Sequence, residues 1–328
     1  MAVIGELHQI PELPENFQLI GRIGRGGAGE VFSVQDVTGK HLAFKRINSA
    51  WQQHEFESIR ALRALPAHPA LTQIFHAGVL SDNDFYYTME LADNAGDERC
   101  YMADTLAYRM LSRQIPLDEL CRILLDTAAG AGHLHNNGLF HGDIKPENII
   151  LKDNGVTAKL ADLGVARVAG ALEEEGLMAT PLYVAPEVVL GNAPPDPRSD
   201  IYSFGVMLYE LFDGNPPFSG SSQQLIQKHI NERPVPLSQA VPSLDAELAA
   251  YVDRMLAKSM DIRPQSWKEV HDTLNLILQR MKSVPDVPVS RPAEKKKKTE
   301  FVFPQWLKML LSVAGAVFVT WLIVRLFG

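Results

Sequence analysis

The chain has 328 residues, 46% hydrophobic and 21% charged, and is too apolar for a disordered protein. Its two cysteines, Cys100 and Cys121, allow at most one disulfide and fit a reducing compartment. The net charge is −8, but residues 282–328 carry eight cations against three anions, which leaves −13 on residues 1–281. So acidic a body is a poor electrostatic partner for DNA or RNA, and nucleic-acid binding is set aside.

Residues 1–16 read as an N-terminal extension. They have no basic start, and Glu6 and His8 interrupt any apolar core, so a secretory signal is not expected. From Phe17, the short runs FQLIGRI, GEVFSVQD, HLAFKRI and FYYTMEL predict strands, with one helical stretch near residues 53–65. Beyond them, longer helical patterns cover residues 117–136, 199–212, 244–256 and 266–281. The expectation is an α+β chain with a sheet-rich lobe at 17–91 and a larger, mostly helical lobe at 92–281. A cleft between two such lobes is a common ligand site. Residues 92–104 (ADNAGDERCYMAD) read as an insertion, either a surface loop or a contact for a substrate or regulator.

Residues 282–304 form a proline- and lysine-rich linker. The sixteen residues from Met309 to Val324 carry no formal charge, and residues 305–327 are expected to form one transmembrane helix. Trp306 and Trp321 suit the two interfaces, and the alternative is a buried core helix. Lys295–Lys298 just before the span predict that the N-terminal body is cytoplasmic.

Three segments carry chemistry. Gly24-Arg25-Gly26-Gly27-Ala28-Gly29 lies between two strands, followed by Val31 and then Lys45 on the next strand. Glycines let main-chain N–H groups approach phosphates, and a strand lysine holds α and β phosphates. No helix opens at these glycines and no Gly-Lys-Ser/Thr follows, so the loop is not a Walker A element. The segment His141-Gly142-Asp143-Ile144-Lys145-Pro146-Glu147-Asn148 supplies a carboxylate, a lysine and a carboxamide; Asp162-Leu163-Gly164 adds a second carboxylate. A carboxylate and an amide oxygen are hard donors suited to Mg²⁺.

With Ala185-Pro186-Glu187, Arg198 to Gly205 and Arg263 in the same order, residues 17–281 resemble the eukaryotic-type (Hanks-type) serine/threonine protein kinases. The resemblance implies a two-lobed kinase-like fold, ATP, Mg²⁺ and phosphoryl transfer to protein hydroxyls. It implies Asp143 as catalytic base and Lys145 as its phosphate-facing companion. Asn148 and Asp162 would hold the metal. Gly24, Gly26, Gly29 and Lys45 would bind phosphates. Ile23, Val31, Ala43 and Leu151 would enclose the adenine, and Met89 and Glu90 would open the hinge. Asp-Ile-Lys-Pro-Glu-Asn and Thr180 match the serine/threonine type. Glu187 and Arg263 are expected as a buried ion pair, and Asp200 as a brace for the catalytic loop.

The chain departs from the family in places. Counting back from Leu62 and Leu65 puts Ser58 where the partner of Lys45 belongs; Glu57 is the expected substitute, with Glu55 earlier still. Gly142 replaces the arginine that receives an activation-loop phosphate, and residues 165–179 contain no Ser, Thr or Tyr. Activity independent of loop phosphorylation is therefore expected, with Glu173-Glu174-Glu175 either ordering the loop or forming a solvated tip. The competing expectation is a membrane-anchored pseudokinase scaffold that binds nucleotide without efficient transfer.

Overall fold

Alternating burial along β1 (Phe17–Arg25) starts a five-stranded antiparallel sheet. It continues through β2 (Gly29–Asp36), β3 (His41–Ile47), β4 (Ile74–Val79) and β5 (Phe85–Glu90), in the order β1-β2-β3-β5-β4. The computed structural model describes residues 13–25, 29–48, 52–97, 101–163, 167–168, 180–191 and 196–283. The period of two sorts the side chains onto two faces. Phe32, Val34, Leu42, Phe44 and Tyr86 close the outer face, with the Phe44 and Tyr86 rings stacked at 4.7 Å. Ala43, Ile47, Phe85, Tyr87 and Met89 join the main core from the inner face. Lys45 lies on that inner face, opposite Val31 on one side and Tyr87 on the other. Gly29 is required by packing, since a Cβ there would lie 1.9 Å from the Arg46 carbonyl oxygen.

Helix α1 (Gln52–Arg63) crosses between β3 and β4. The chain after it is tied to the larger lobe by two main-chain bonds. Leu160 donates to the Ala70 carbonyl at 2.8 Å and Thr72 donates to the Leu160 carbonyl at 3.0 Å. The larger lobe opens with α2 (Leu106–Ser112) and α3 (Leu117–Asn136), followed by β6 (Leu139–Phe140) and a 3₁₀ turn at Pro146–Asn148. A hairpin of β7 (Ile149–Lys152) and β8 (Thr157–Leu160) comes next, and β9 (Arg167–Val168) pairs with β6. The remaining helices are α4 (Pro186–Leu190), α5 (Pro197–Asp213), α6 (Ser222–Asn231), α7 (Leu237–Ala240), α8 (Ala246–Met255) and α9 (Trp267–Lys282). Helix α5 is buried on every side from Ser199 to Tyr209, which makes it the axis of this lobe. Its N-cap is Asp196, and Gly214 ends it at φ 86°.

The predicted strands and long helices therefore match the observed elements to within a few residues. In the insertion, Asn94 pairs with Ala103, and the Asn94 carboxamide accepts from Gly96 and Met102 at 2.9 Å each. Tyr101 donates to the Ala92 carbonyl at 3.1 Å. Cys121 is a buried free thiol; Cys100 lies outside the described residues, as do the linker, residues 305–327 and the 173–175 triplet. Among the described residues no helix is long and apolar enough to cross a membrane.

Candidate active site

The β3–β5 pairing fixes the inward side chain of Lys45, which is 4% exposed. Its ammonium donates to Glu55 at 2.9 Å and to Asp162 at 2.5 Å. Burial opposes charge on the lysine, but the carboxylates outweigh it and hold Lys45 well above its ordinary range. Partial burial pushes the Asp162 carboxyl up, but Lys45 outweighs it and holds Asp162 low. It adopts φ +59°, a left-handed backbone that aspartate tolerates better than most residues.

Glu57 is not the partner of Lys45. It is exposed, and Glu55, with no exposed surface, takes the position. The buried face of α1 is Glu55, Ser58, Ile59 and Leu62, at i, i+3, i+4 and i+7. Glu57 is turned about 200° from Glu55 on that helix. The count from Leu65 fails because α1 ends at Arg63, so Leu65 does not continue the helical stripe.

The catalytic-loop segment is held from below. Asp200, 1% exposed, accepts from the main-chain N–H groups of His141 at 2.7 Å and Gly142 at 2.8 Å. It also accepts from His135 at 3.2 Å. Burial pushes its carboxyl up, but His135 and these donors hold it low. His141 donates from Nε2 to the Ala161 carbonyl at 2.8 Å and accepts from the Asp143 N–H at 3.2 Å. His141 thereby joins the segment carrying Asp143 to the one carrying Asp162. His133 is occupied structurally, donating to the Pro66 carbonyl at 3.0 Å and stacking on His68 at 4.7 Å.

Above this brace, Lys145 donates to Asp143 Oδ2 at 2.5 Å and to the Thr180 hydroxyl at 2.7 Å. Thr180 in turn donates to Asp143 Oδ1 at 2.8 Å. The Asn148 amide nitrogen donates to the Asp143 carbonyl at 2.8 Å and its Oδ2 at 3.2 Å. That leaves the carboxamide oxygen as the atom of Asn148 with no hydrogen bond among the described residues. An amide oxygen and the Asp162 carboxylate, one-third exposed, are a donor pair that fits a hard divalent cation. Among the described residues no group of three or more His, Cys, Asp or Glu side chains is arranged to hold a metal.

Ala43, Met89 and Leu151 are buried in one apolar cluster, with Ile23 and Val31 packed against it. Glu90 ends β5, its carboxylate paired with Lys159 at 2.8 Å and accepting from the Gln73 N–H at 2.8 Å. Gly24 is the last residue but one of β1 and Gly29 begins β2; Gly26 lies outside the described residues. The Glu187–Arg263 pair forms as expected, bidentate at 2.7 and 2.8 Å.

Two polar groups had no signal in the linear motifs. Tyr87 lies fully buried opposite Lys45, with the ammonium 5.7 Å from its ring centre. Burial pushes the phenol up, as does the Glu55 charge. Tyr183 donates to Glu210 at 2.6 Å beside the Thr180 turn.

A small antiparallel sheet over a helical lobe, with lysine, aspartates and carboxamide gathered at the junction, defines a class of phosphate-handling two-lobed proteins. The protein kinase domain family matches residues 17–275, and the chain belongs to that family. It is 32% identical over 279 residues to Serine/threonine-protein kinase pkn2 of Myxococcus xanthus, covering 80% of this chain and 32% of that protein. It is 28% identical over 278 residues to Serine/threonine-protein kinase PknB of Mycobacterium leprae, covering 80% of this chain and 43% of that one. DNA damage-responsive serine/threonine-protein kinase RqkA of Deinococcus radiodurans is 30% identical over 276 residues, with coverage of 77% and 38%. The chain thus spans less than half the length of these relatives.

Proposed function

We propose that this chain is an ATP-dependent serine/threonine protein kinase. The observation that carries the reading is convergence: Lys45, Asp143, Lys145, Asn148 and Asp162 come from three separate stretches of chain and meet at one junction. Lys45 leaves Asp162 to hold the α and β phosphates of the nucleotide. Asp162 and the Asn148 oxygen are the residues that hold Mg²⁺, which when bound neutralises phosphate charge. Asp143 takes the proton of the acceptor hydroxyl as its oxygen bonds to the γ-phosphorus and the bond to the β-phosphate oxygen breaks. Lys145, already on Asp143, supplies positive charge beside the transferring group.

A Lys45 without a helix carboxylate would favour the pseudokinase alternative, and the Glu55 pair at 2.9 Å supports transfer instead. The exposed Glu147 beside the loop and the acidic body support acceptors with basic flanking residues. Gly142 and the absence of Ser, Thr and Tyr from residues 165–179 support activity that does not wait for loop phosphorylation. The uncharged run Met309–Val324 after four lysines supports a membrane anchor with the kinase domain on the cytoplasmic side.

The test is radiolabelled phosphoryl transfer with Mg-ATP. Asp143→Ala is expected to lower transfer by about 10²–10⁴-fold. Equal transfer by wild type and variant overturns the assignment. Removal of residues 299–328 is expected to release an active domain into the soluble fraction. Retention of that truncated chain on salt-washed membranes overturns the anchor.

A further inference from the structure

The turn that carries Thr180 is held from a direction that the catalytic machinery does not use. Thr180, Pro181, Leu182 and Tyr183 form a tight turn closed by the Tyr183 N–H on the Thr180 carbonyl at 3.0 Å. Thr180 faces Asp143 and Lys145, and Tyr183 is tied to Glu210. The Leu182 carbonyl, between them, is met by His229 Nε2 at 3.0 Å. His229 sits near the C-terminal end of α6 with no exposed surface.

The proton positions follow from the partners. A carbonyl oxygen only accepts, so Nε2 carries the hydrogen. Burial and the neighbouring Lys258 push the imidazole down to about 4, so at neutral pH it has a single proton and Nδ1 is bare. The Tyr202 hydroxyl, 2.9 Å from Nδ1, must therefore donate to it. Lys258 approaches the same hydroxyl at 3.3 Å and only donates. The Lys258 ammonium also caps the end of α6, donating to the His229 carbonyl at 2.7 Å and the Lys228 carbonyl at 3.4 Å. The chain of donors runs one way, from Lys258 through Tyr202 and His229 to Leu182. Phe218 closes it edge-on against the imidazole at 5.0 Å.

We infer that His229 is a positioning residue for phosphoryl transfer, whose Nε2–H fixes the Thr180–Tyr183 turn so that an acceptor polypeptide is seated correctly against Asp143. The inference rests on the kinase reading above. It adds that the fit of the acceptor is set partly by α6, a helix with no residue in the nucleotide cleft. Tyr202 acts one step further out by keeping the proton on Nε2.

The test uses the full chain with Mg-ATP and mixed histones as the basic acceptor polypeptide. His229→Ala is expected to raise the KM for histone about tenfold, with the KM for ATP moving less than twofold. His229→Gln, which keeps an N–H donor at the same reach, is expected to recover to within about threefold of wild type. Tyr202→Phe is expected to fall between them. Thermal melts of all three variants accompany the kinetics. An unchanged histone KM in His229→Ala overturns the inference while leaving the kinase reading intact. A parallel rise in both KM values, or equal losses in His229→Ala and His229→Gln, also overturns it by reducing the histidine to packing. Absence of transfer by the wild type, by contrast, overturns the kinase reading and the inference with it.

Discussion

Lys45 and Arg263 are both fully enclosed cations, and the protein treats them in opposite ways. Every donor of Arg263 has an acceptor. Its Nη atoms take the two Glu187 oxygens at 2.7 and 2.8 Å and the carbonyls of Arg198 and Lys258; Nε takes the Ala257 carbonyl at 2.8 Å. Glu187 has Ser199 as a further donor at 2.7 Å. The Lys45 ammonium instead bridges Glu55, which is sealed off, and Asp162, which is one-third exposed. The first arrangement has nothing left to offer a ligand, so it serves to join α4, α5 and the chain before α9. The second keeps one partner that water and ligands can reach. Burial of charge alone therefore does not identify a site; a replaceable partner does.

The comparison predicts different failures. Arg263→Ala strands the Glu187 carboxylate in the interior, and breaking a buried pair from one side costs about 3–5 kcal/mol. At roughly 2–4 °C per kcal/mol for a domain of this size, the melting temperature should fall by about 10 °C, read by calorimetry. Lys45→Met should show the reverse balance. Transfer should drop by about 10²–10³-fold, as for loss of a preorganised charge, with a smaller shift in melting temperature. A larger thermal loss for Lys45→Met than for Arg263→Ala breaks the contrast.

A second contrast is acid sensitivity. His229 is pushed down to about 4, against about 6.5 for an ordinary histidine. Between those values the unfolded chain binds the extra proton and the folded chain does not. The neutral latch is therefore fully kept above about pH 6.5, and stability is lost as pH falls toward 4, by at most about 3 kcal/mol. His229→Gln should flatten that part of the stability–pH curve measured by urea unfolding. A curve of equal slope in both proteins rejects the assignment. Asp162 and Asp200 are held low instead, so their contribution is lost only further into acid.

The sequence was most informative where function and neighbours are local. His141 to Asn148 is one continuous segment, and its geometry in the fold follows its spacing. The strands were legible because β1 alternates in burial, while β2, β3 and β5 are short apolar runs rich in valine, phenylalanine and tyrosine that lie buried along much of their length. The latch was not legible, because His229 meets Tyr202, Leu182 and Lys258 at separations of 27, 47 and 29 residues. A lone histidine on an amphipathic helix carries no mark of that. Tyr87 hid similarly, since its meaning comes from β3–β5 register rather than from any motif.

The finest test of the contrast separates two glutamates two residues apart. Glu55 and Glu57 have the same chemistry and the same helix, and only rotation about the axis distinguishes them. Glu55→Gln keeps volume and hydrogen bonding but removes the charge that holds Lys45 at 2.9 Å. The lysine then rests against Asp162 alone, the partner it must leave when nucleotide binds. A loss of about 10–100-fold in kcat/KM for ATP is expected, equivalent to about 1.4–2.7 kcal/mol. Glu57 faces solvent, where replacing one charge changes little, so Glu57→Gln should stay within about twofold. Steady-state kinetics on the pair decides which carboxylate the lysine uses. Equal losses for both would mean that α1 turns on its axis when the cleft fills, bringing Glu57 inward in the working state.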